Sequence, residues 1–248
     1  MKNFLVPAFA LMAVSGSALA ADLPIRKAPP MAPAMITTNW TGCYVGAGGG
    51  YGMFNNDTTT VTDPGGFVFA NSVTHGGRGW FGTVQVGCDV QFGGNWVFGV
   101  FGDYDFADIE GDHRGLFSSG GTNRLDSSWA VGGRVGWLVT PQLLTYISGG
   151  YTEARFDAID FAFLGAPVTF RMDERTHDGW FIGGGVEYQL GWLPGLYWKT
   201  EYRLAEYDRQ TSPINFIGTG LPTGFAEIHE PFVQTVRSEL VWRWNWGR

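Results

Sequence analysis

The chain has 248 residues, of which 16% are charged, 16% are aromatic and 38 are glycine, and its formal net charge is −7. This acidity argues against nucleic acid as a partner, because binding phosphates requires an excess of lysine and arginine. A typical soluble domain has less glycine, fewer aromatic residues and more charge. Much of the surface is therefore expected to face something other than water.

The N-terminal segment has the features of a secretory signal. Lys2 precedes a short apolar run, and a small-residue cleavage site ends at Ala20. We predict a signal peptide over 1–20 that is removed on export. Residues 21–39 are rich in proline and weakly patterned, which predicts an extended linker. The rest of the chain, 40–248, is predicted to form one folded domain.

The folded segment is dominated by alternation with a period of two residues. Between Trp80 and Phe92 every second residue is apolar, aromatic or small, and the residues between them are mostly polar. This pattern is typical of a strand with one apolar and one polar face. No stretch approaches the roughly 18 apolar residues of a membrane helix. Eight strands are predicted, at 40–53, 79–92, 96–107, 125–139, 143–154, 179–190, 196–207 and 232–246.

The connections between these strands alternate in size. The short, turn-like links lie at 93–95, 140–142 and 191–195. The long, polar and glycine-rich links lie at 55–78, 108–124, 155–178 and 208–231. This parity favours an all-β, eight-stranded antiparallel up-and-down transmembrane β-barrel with short periplasmic turns and long extracellular loops. A soluble sandwich, the alternative, would not be expected to sort its loops in this way.

Several runs of the chain resemble a known family. They are NWTGCYVG at 39–46, GTVQVGCDVQF at 82–92 with NWV at 95–97, GRVG at 133–136, GGGVEY at 183–188 and KTEY at 199–202. In this order they are similar to the small outer-membrane β-barrel surface antigens of alphaproteobacteria, relatives of opacity proteins and OmpA-like, porin-family barrels. The resemblance implies location in the outer membrane and roles in envelope integrity and surface exposure. In some relatives it also implies solute passage or ligand binding.

The chain departs from this family in two places. Members usually end on an aromatic residue that helps the insertion machinery, whereas Gly247 and Arg248 follow Trp246 here. Cysteines occupy two positions that are aromatic in the family, and antiparallel pairing of the first two strands puts Cys43 and Cys88 near the periplasmic rim, facing outward. A disulfide would stabilise the fold by roughly 3 to 5 kcal/mol. The alternative is two unpaired thiols in lipid.

Strand parity also predicts which charged residues face the lumen. They are Asp103, Asp105, Arg134, Glu187, Lys199, Glu201, Arg203, Arg237, Glu239 and Arg243. Mixed signs in a narrow tube predict mutual pairing, because an unpartnered charge away from water is costly. The alternative is a polar gate for small solutes, but eight strands leave an interior about wide enough for side chains alone. The phase of the fifth strand, between Leu143 and Ala154, stays open.

Aromatic residues lie mainly toward the ends of the predicted strands. The tryptophans expected at the two membrane interfaces are Trp40, Trp80, Trp96, Trp137, Trp180, Trp198, Trp242 and Trp246. A soluble ligand-binding barrel would turn its apolar face inward instead. We therefore expect outer-membrane lipid and the barrel-insertion machinery as partners.

The four histidines, His75, His113, His177 and His229, fall in or beside the predicted long loops. No spacing marks a catalytic triad or a metal site, so they are interpreted as solvated loop side chains, and no enzyme activity or cofactor is expected. The predicted function is structural, supporting envelope integrity and surface contacts. The alternatives are a narrow small-solute porin and, third, a lipid-modifying enzyme. An extracellular ligand held by the loops is left open.

Overall fold

The computed structural model describes residues 39–113, 118–119, 121–163 and 167–245. The predicted signal peptide and nearly all of the predicted linker lie outside the described residues. The strands are β1 Gly42–Thr62, β2 Val68–Phe92, β3 Trp96–His113, β4 Ser118–Ser119, β5 Gly121–Thr140, β6 Leu143–Phe156, β7 Ile159–Phe163, β8 Phe170–Met172, β9 Arg175–Gln189, β10 Leu196–Tyr207, β11 Gln210–Phe216 and β12 Pro222–Asn245. Within the described ranges, no helix has the length and apolar character needed to cross a bilayer.

Eight of these strands close into a ring. β1, β2, β3, β5, β6, β9, β10 and β12 pair with their neighbours in that order, and every pairing is antiparallel. β12 pairs back onto β1, with a register that runs from Gly42 opposite Asn245 to Thr62 opposite Phe225. The predicted eight-stranded antiparallel barrel is thus confirmed.

The long connections are largely strands, not the loops that were predicted. β1 continues to Thr62 and β2 begins at Val68, so most of the predicted loop 55–78 is a paired hairpin. Threonine and valine fill the end of β1, and their branched side chains favour the extended backbone although the segment is polar. Beyond the ring, β11 pairs with β12 and β8, and β8 pairs with β7. The barrel therefore has a short-turn end and a tall long-hairpin end.

Side chains alternate across the wall as the sequence pattern requires. On β2, Thr83 and Gln85 are buried inside, whereas Val84 and Val86 are exposed on the outside. On β6 the open phase is resolved, because Leu144 points inward with Tyr146 and Ser148. Inside the ring, one cluster of buried apolar residues extends from Trp40 at the short-turn end to Phe156 near the long hairpins. A second cluster fills the top of the long-hairpin end, formed by Ile159, Phe161, Phe170, Met172 and Ile214.

Candidate functional site

The lumen holds a dense group of charged side chains. All ten residues that parity assigned to the interior are buried there, and none is more than 7% exposed. Asp89 joins them and was missed, although it lies on the polar face of the strand between Trp80 and Phe92. Applying the same parity to the short-turn end of β2 could have found it.

At the short-turn end, two arginines bind two carboxylates in a closed quartet. Arg134 donates from Nε to Asp89 Oδ1 at 3.0 Å and from Nη1 to Glu187 Oε2 at 2.9 Å. Arg243 donates to the other oxygen of each acid, at 2.6 Å to Asp89 Oδ2 and 2.7 Å to Glu187 Oε1. The charges balance within the quartet, which offsets the cost of removing them from water.

A second network fills the middle of the barrel. Arg203 donates both terminal nitrogens to Asp103, at 3.0 and 2.8 Å, and its Nε to Glu201 at 2.9 Å. Arg237 bridges Asp103 and Asp105, at 3.2 and 2.9 Å. These bonds join strands on opposite sides of the ring, since Asp103 lies on β3, Arg203 on β10 and Arg237 on β12. The lumen is therefore crossed by ion pairs at this level.

Lys199 extends the network in the middle of the barrel. Its Nζ donates to Gln85 Oε1 at 2.8 Å and lies 3.5 Å from a carboxylate oxygen of both Glu201 and Glu239. The Gln85 amide in turn donates to Glu239. Tyr146 donates its hydroxyl to Glu201 at 2.9 Å. The chain of contacts leaves the charged middle of the barrel filled by side chains.

Trp40 is not at a membrane interface, contrary to the sequence prediction. It is fully buried at the short-turn end, with its ring 4.9 Å from Tyr197 and its indole N–H donating to Pro141 O at 3.2 Å. Arg243 lies 5.1 Å from the centre of its ring and donates to its backbone carbonyl at 3.1 Å. Trp40 shares the inward parity of Tyr44, which explains its position. It closes the short-turn mouth.

The predicted interface tryptophans from Trp80 to Trp242 point outward. Trp80, Trp96, Trp137, Trp180, Trp198 and Trp242 are all exposed on the outer wall, and Trp246 lies outside the described residues. Along each ring strand, counted from the short turns, outward positions are uncharged for five or more residues in succession. The first outward charges are Asp57, Arg78, Asp108, Asp126, Glu153, Asp178, Glu206 and Glu230. These residues, here called the charged rim, mark one edge of an apolar band.

Cys43 and Cys88 are joined by a disulfide bond. They lie directly opposite each other in the register between β1 and β2, near the short-turn end. Both side chains lie on the outer face of the wall, within the apolar band. The bond links the first strand of the ring to the second.

The histidines are buried, and the prediction that they are solvated loop side chains is wrong. His75, His113, His177 and His229 are at most 6% exposed and point into the barrel beyond the charged rim. The extension of the hairpins as strands places them there. Burial lowers the pKa of His75 to about 4 and holds the pKa of His229 well below its usual range. No set of histidine, cysteine, aspartate or glutamate within the described ranges has the geometry to hold a metal ion.

A family model identifies the class of barrel. The model of the outer membrane protein beta-barrel domain matches residues 7–222. The chain belongs to this family. It is 27% identical over 197 residues to the 31 kDa outer-membrane immunogenic protein of Brucella melitensis, covering 77% of this chain and 81% of the relative. The match to the protein of the same name in Brucella suis has the same identity and coverage.

A solved structure shares the fold. The outer membrane protein OprG from Pseudomonas aeruginosa aligns with a TM-score of 0.50 and 13% identity, over 84% of this chain and 99% of that one. The chain is thus an outer-membrane β-barrel, and the predicted family resemblance and location are confirmed. The apolar band faces the lipid of the outer membrane. In such barrels the short turns are periplasmic and the long hairpins extracellular.

Proposed function

We propose that this protein is a structural, surface-exposed outer-membrane barrel that supports envelope integrity and does not conduct solutes. The single observation that carries the proposal is the filled lumen. Ion pairs cross the ring at two levels, and buried aromatic residues close it from Trp40 to Phe156. The space beside Arg237 that a water-sized sphere can enter is about 20 Å³, room for roughly one water molecule.

The ion pairs support a plug over a gate. A permeant ion would have to displace Arg203 from Asp103 and Glu201, and also Arg134 and Arg243 from their shared carboxylates. Removing one partner of a buried pair costs about 3 to 5 kcal/mol. Passage past both levels would therefore be slow without a larger rearrangement of the barrel.

The lipid-modifying enzyme is the less favoured function. The histidines face one another inside the barrel, and none of them is more than 6% exposed. A lipid in the outer leaflet would have no open route to them. Two further points rest on the family relationship. We propose that the barrel-insertion machinery folds this protein into the outer membrane, and that its extracellular hairpins contact ligands at the cell surface.

Conductance in planar bilayers tests the proposal. The full chain is expected to give no stable single-channel steps. A general porin, whose wider barrel leaves an aqueous channel, is the positive control in the same bilayers and shows that the assay detects an open lumen. Stable steps from the unaltered protein would overturn the plug and support the porin. Restored detergent resistance in a deletion strain carrying the intact gene would support the envelope role, and no difference from the deletion strain would contradict it.

A further inference from the structure

Four histidines from four different strands meet inside the extracellular part of the barrel. His75 lies on β2, His113 on β3, His177 on β9 and His229 on β12. The rings of His75 and His113 pack edge to face, with centroids 5.1 Å apart. Together these four residues form the histidine cluster. It lies between the upper end of the main core, at Phe156, and the apolar cluster that caps the long hairpins.

The fixed charges around the cluster balance only while the histidines are neutral, because one arginine and one carboxylate face it. Arg175 on β9 is buried beside it and donates to the Asn123 side-chain oxygen at 3.1 Å. Glu227 on β12 is the one carboxylate among the described residues that faces the cluster from inside, 3.3 Å from His113 Nε2 and 3.8 Å from His229 Nε2. The groups facing it from the other strands are uncharged. They are Asn56 and Thr58 on β1, Asn123 on β5, Phe156 on β6 and Phe161 on β7. Asp57 and Asp178 also attract protons to His75 and His177, but their side chains lie on the outer face of the wall.

Hydrogen bonds fix His229 in its neutral form. The backbone N–H of Glu230 donates to Asn56 Oδ1 at 3.1 Å, which sets the orientation of that amide. The Asn56 Nδ2 group therefore donates to His229 Nδ1 at 3.0 Å. A nitrogen that accepts this bond carries no proton. Protonating His229 would place two donors against each other in a buried site.

We propose that the histidine cluster is a proton-operated latch, which holds the extracellular part of the barrel closed while it is neutral and opens it when it is protonated. Each added proton places a positive charge near Arg175, against the single carboxylate of Glu227. The strands joined through the cluster then repel one another. The membrane-spanning part of the ring keeps its own hydrogen bonds and stays closed.

The direction of the pH dependence follows from burial. Burial lowers the pKa of His75 to about 4 and also lowers that of His177, whereas a histidine in an unfolded chain titrates near 6.5. The stability that neutral His75 contributes is fully present above about pH 6.5 and is lost as the pH falls toward 4. Within that window the protonation of His75 shifts the opening equilibrium by roughly tenfold per pH unit, and protonation of His177 acts in the same direction.

Hydrogen exchange of the full chain, folded in lipid bilayers, tests the latch. Labelling times are scaled for the intrinsic effect of pH between 7 and 4.5. Amides of 210–216 and 222–230 are expected to lose protection at least about tenfold over this range, while those of 80–90 and 236–244 keep it. The variant His75→Gln with His229→Gln removes two of the four protonation sites and is expected to lose at least about tenfold less protection than the wild type. Unchanged protection in the wild type, or an equal loss in this variant, would overturn the proposal.

A second variant tests the latch independently if the double histidine variant does not fold. Arg175→Met removes the fixed positive charge and is expected to move the loss of protection to lower pH. Arg209→Met is the matched control, because Arg209 is exposed on the outer face and pairs with Glu230. It should leave the midpoint unchanged. Equal midpoints for Arg175→Met and wild type, or simultaneous loss of protection throughout the ring, would contradict the latch.

Discussion

Arg134 and Arg243 share both of their carboxylate partners, each donating to Asp89 and to Glu187. The two arginines lie on different strands, β5 and β12, and the acids lie on β2 and β9. Four strands around the ring are therefore tied at one level. Loss of one arginine leaves two carboxylates with a single cation.

Replacing Arg134 with methionine should destabilise the barrel by about 3 to 5 kcal/mol, because it leaves buried negative charge without compensation. Urea unfolding of the protein in lipid vesicles measures this. The control is Arg155→Met, which breaks an exposed pair with Glu174 and should have a much smaller effect, because solvent screens that pair. Adding Glu187→Gln to Arg134→Met should recover part of the loss. Equal effects of the two arginine changes would show that the quartet does not stabilise the fold.

Gly99 on β3 should not accept a side chain. A Cβ at this position would overlap Oδ1 of Asp89, the atom that accepts from Arg134 Nε. Gly99→Ala is expected to lower the free energy of unfolding by about 1 to 3 kcal/mol, since the carboxylate must shift. Gly102→Ala on the same strand is the control, because its nearest atom would be Ala130 O at 3.6 Å. If the Gly99→Ala and Gly102→Ala variants were equally stable, Asp89 would not lie against Gly99.

Removing the disulfide should lower stability without changing the fold. Cys43 and Cys88 are 45 residues apart in sequence, and closing a loop of that size is worth roughly 4 kcal/mol on a chain-entropy estimate. Cys43→Ala with Cys88→Ala should unfold at lower urea concentration, as should wild-type protein unfolded with a reductant. A reductant that leaves the wild-type midpoint unchanged would indicate that the bond contributes little.

The outer wall within the apolar band should reject charge. Val86 is 60% exposed on this wall, and arginine at the bilayer midplane of a barrel costs about 2 to 4 kcal/mol. Val86→Arg is therefore expected to weaken folding into vesicles by that amount. Thr122→Arg changes an exposed outer residue beyond the charged rim and should have an effect within about 0.5 kcal/mol. If both variants fold equally well, the wall at Val86 does not contact hydrocarbon.

The period of two residues was enough to predict the membrane part of this molecule. It placed Asp103 and Arg237 inside and Val84 outside, because lipid and lumen impose opposite polarity on alternate positions. It failed where both faces of a strand are polar. The run from Asn55 to Thr62 is read as a loop by polarity, yet all of it pairs with β12 and most of it also pairs with β2.

The histidine cluster could not be predicted from the sequence, because the strands that carry it have two polar faces and were predicted as loops. Each histidine is isolated in sequence, and only the extension of the hairpins brings them together. Their burial depends on register between distant strands, such as Asn56 opposite His75 and Thr58 opposite His229. The sequence prediction misplaced Trp40 because it assigned strand-end tryptophans to the interface without applying parity, which turns Trp40 inward with Tyr44, toward Tyr197 and Arg243.

The contact between Trp40 and Arg243 joins residues that are 203 positions apart. The stopper of the periplasmic mouth is thus supplied by the start of the domain and held by its final strand. A chain without β12 would lose the Arg243 contacts and keep only those of Trp40 with Tyr197 and Pro141. Trp40 is fully held only after β12 pairs with β1, so closure of the ring and closure of this mouth are one event.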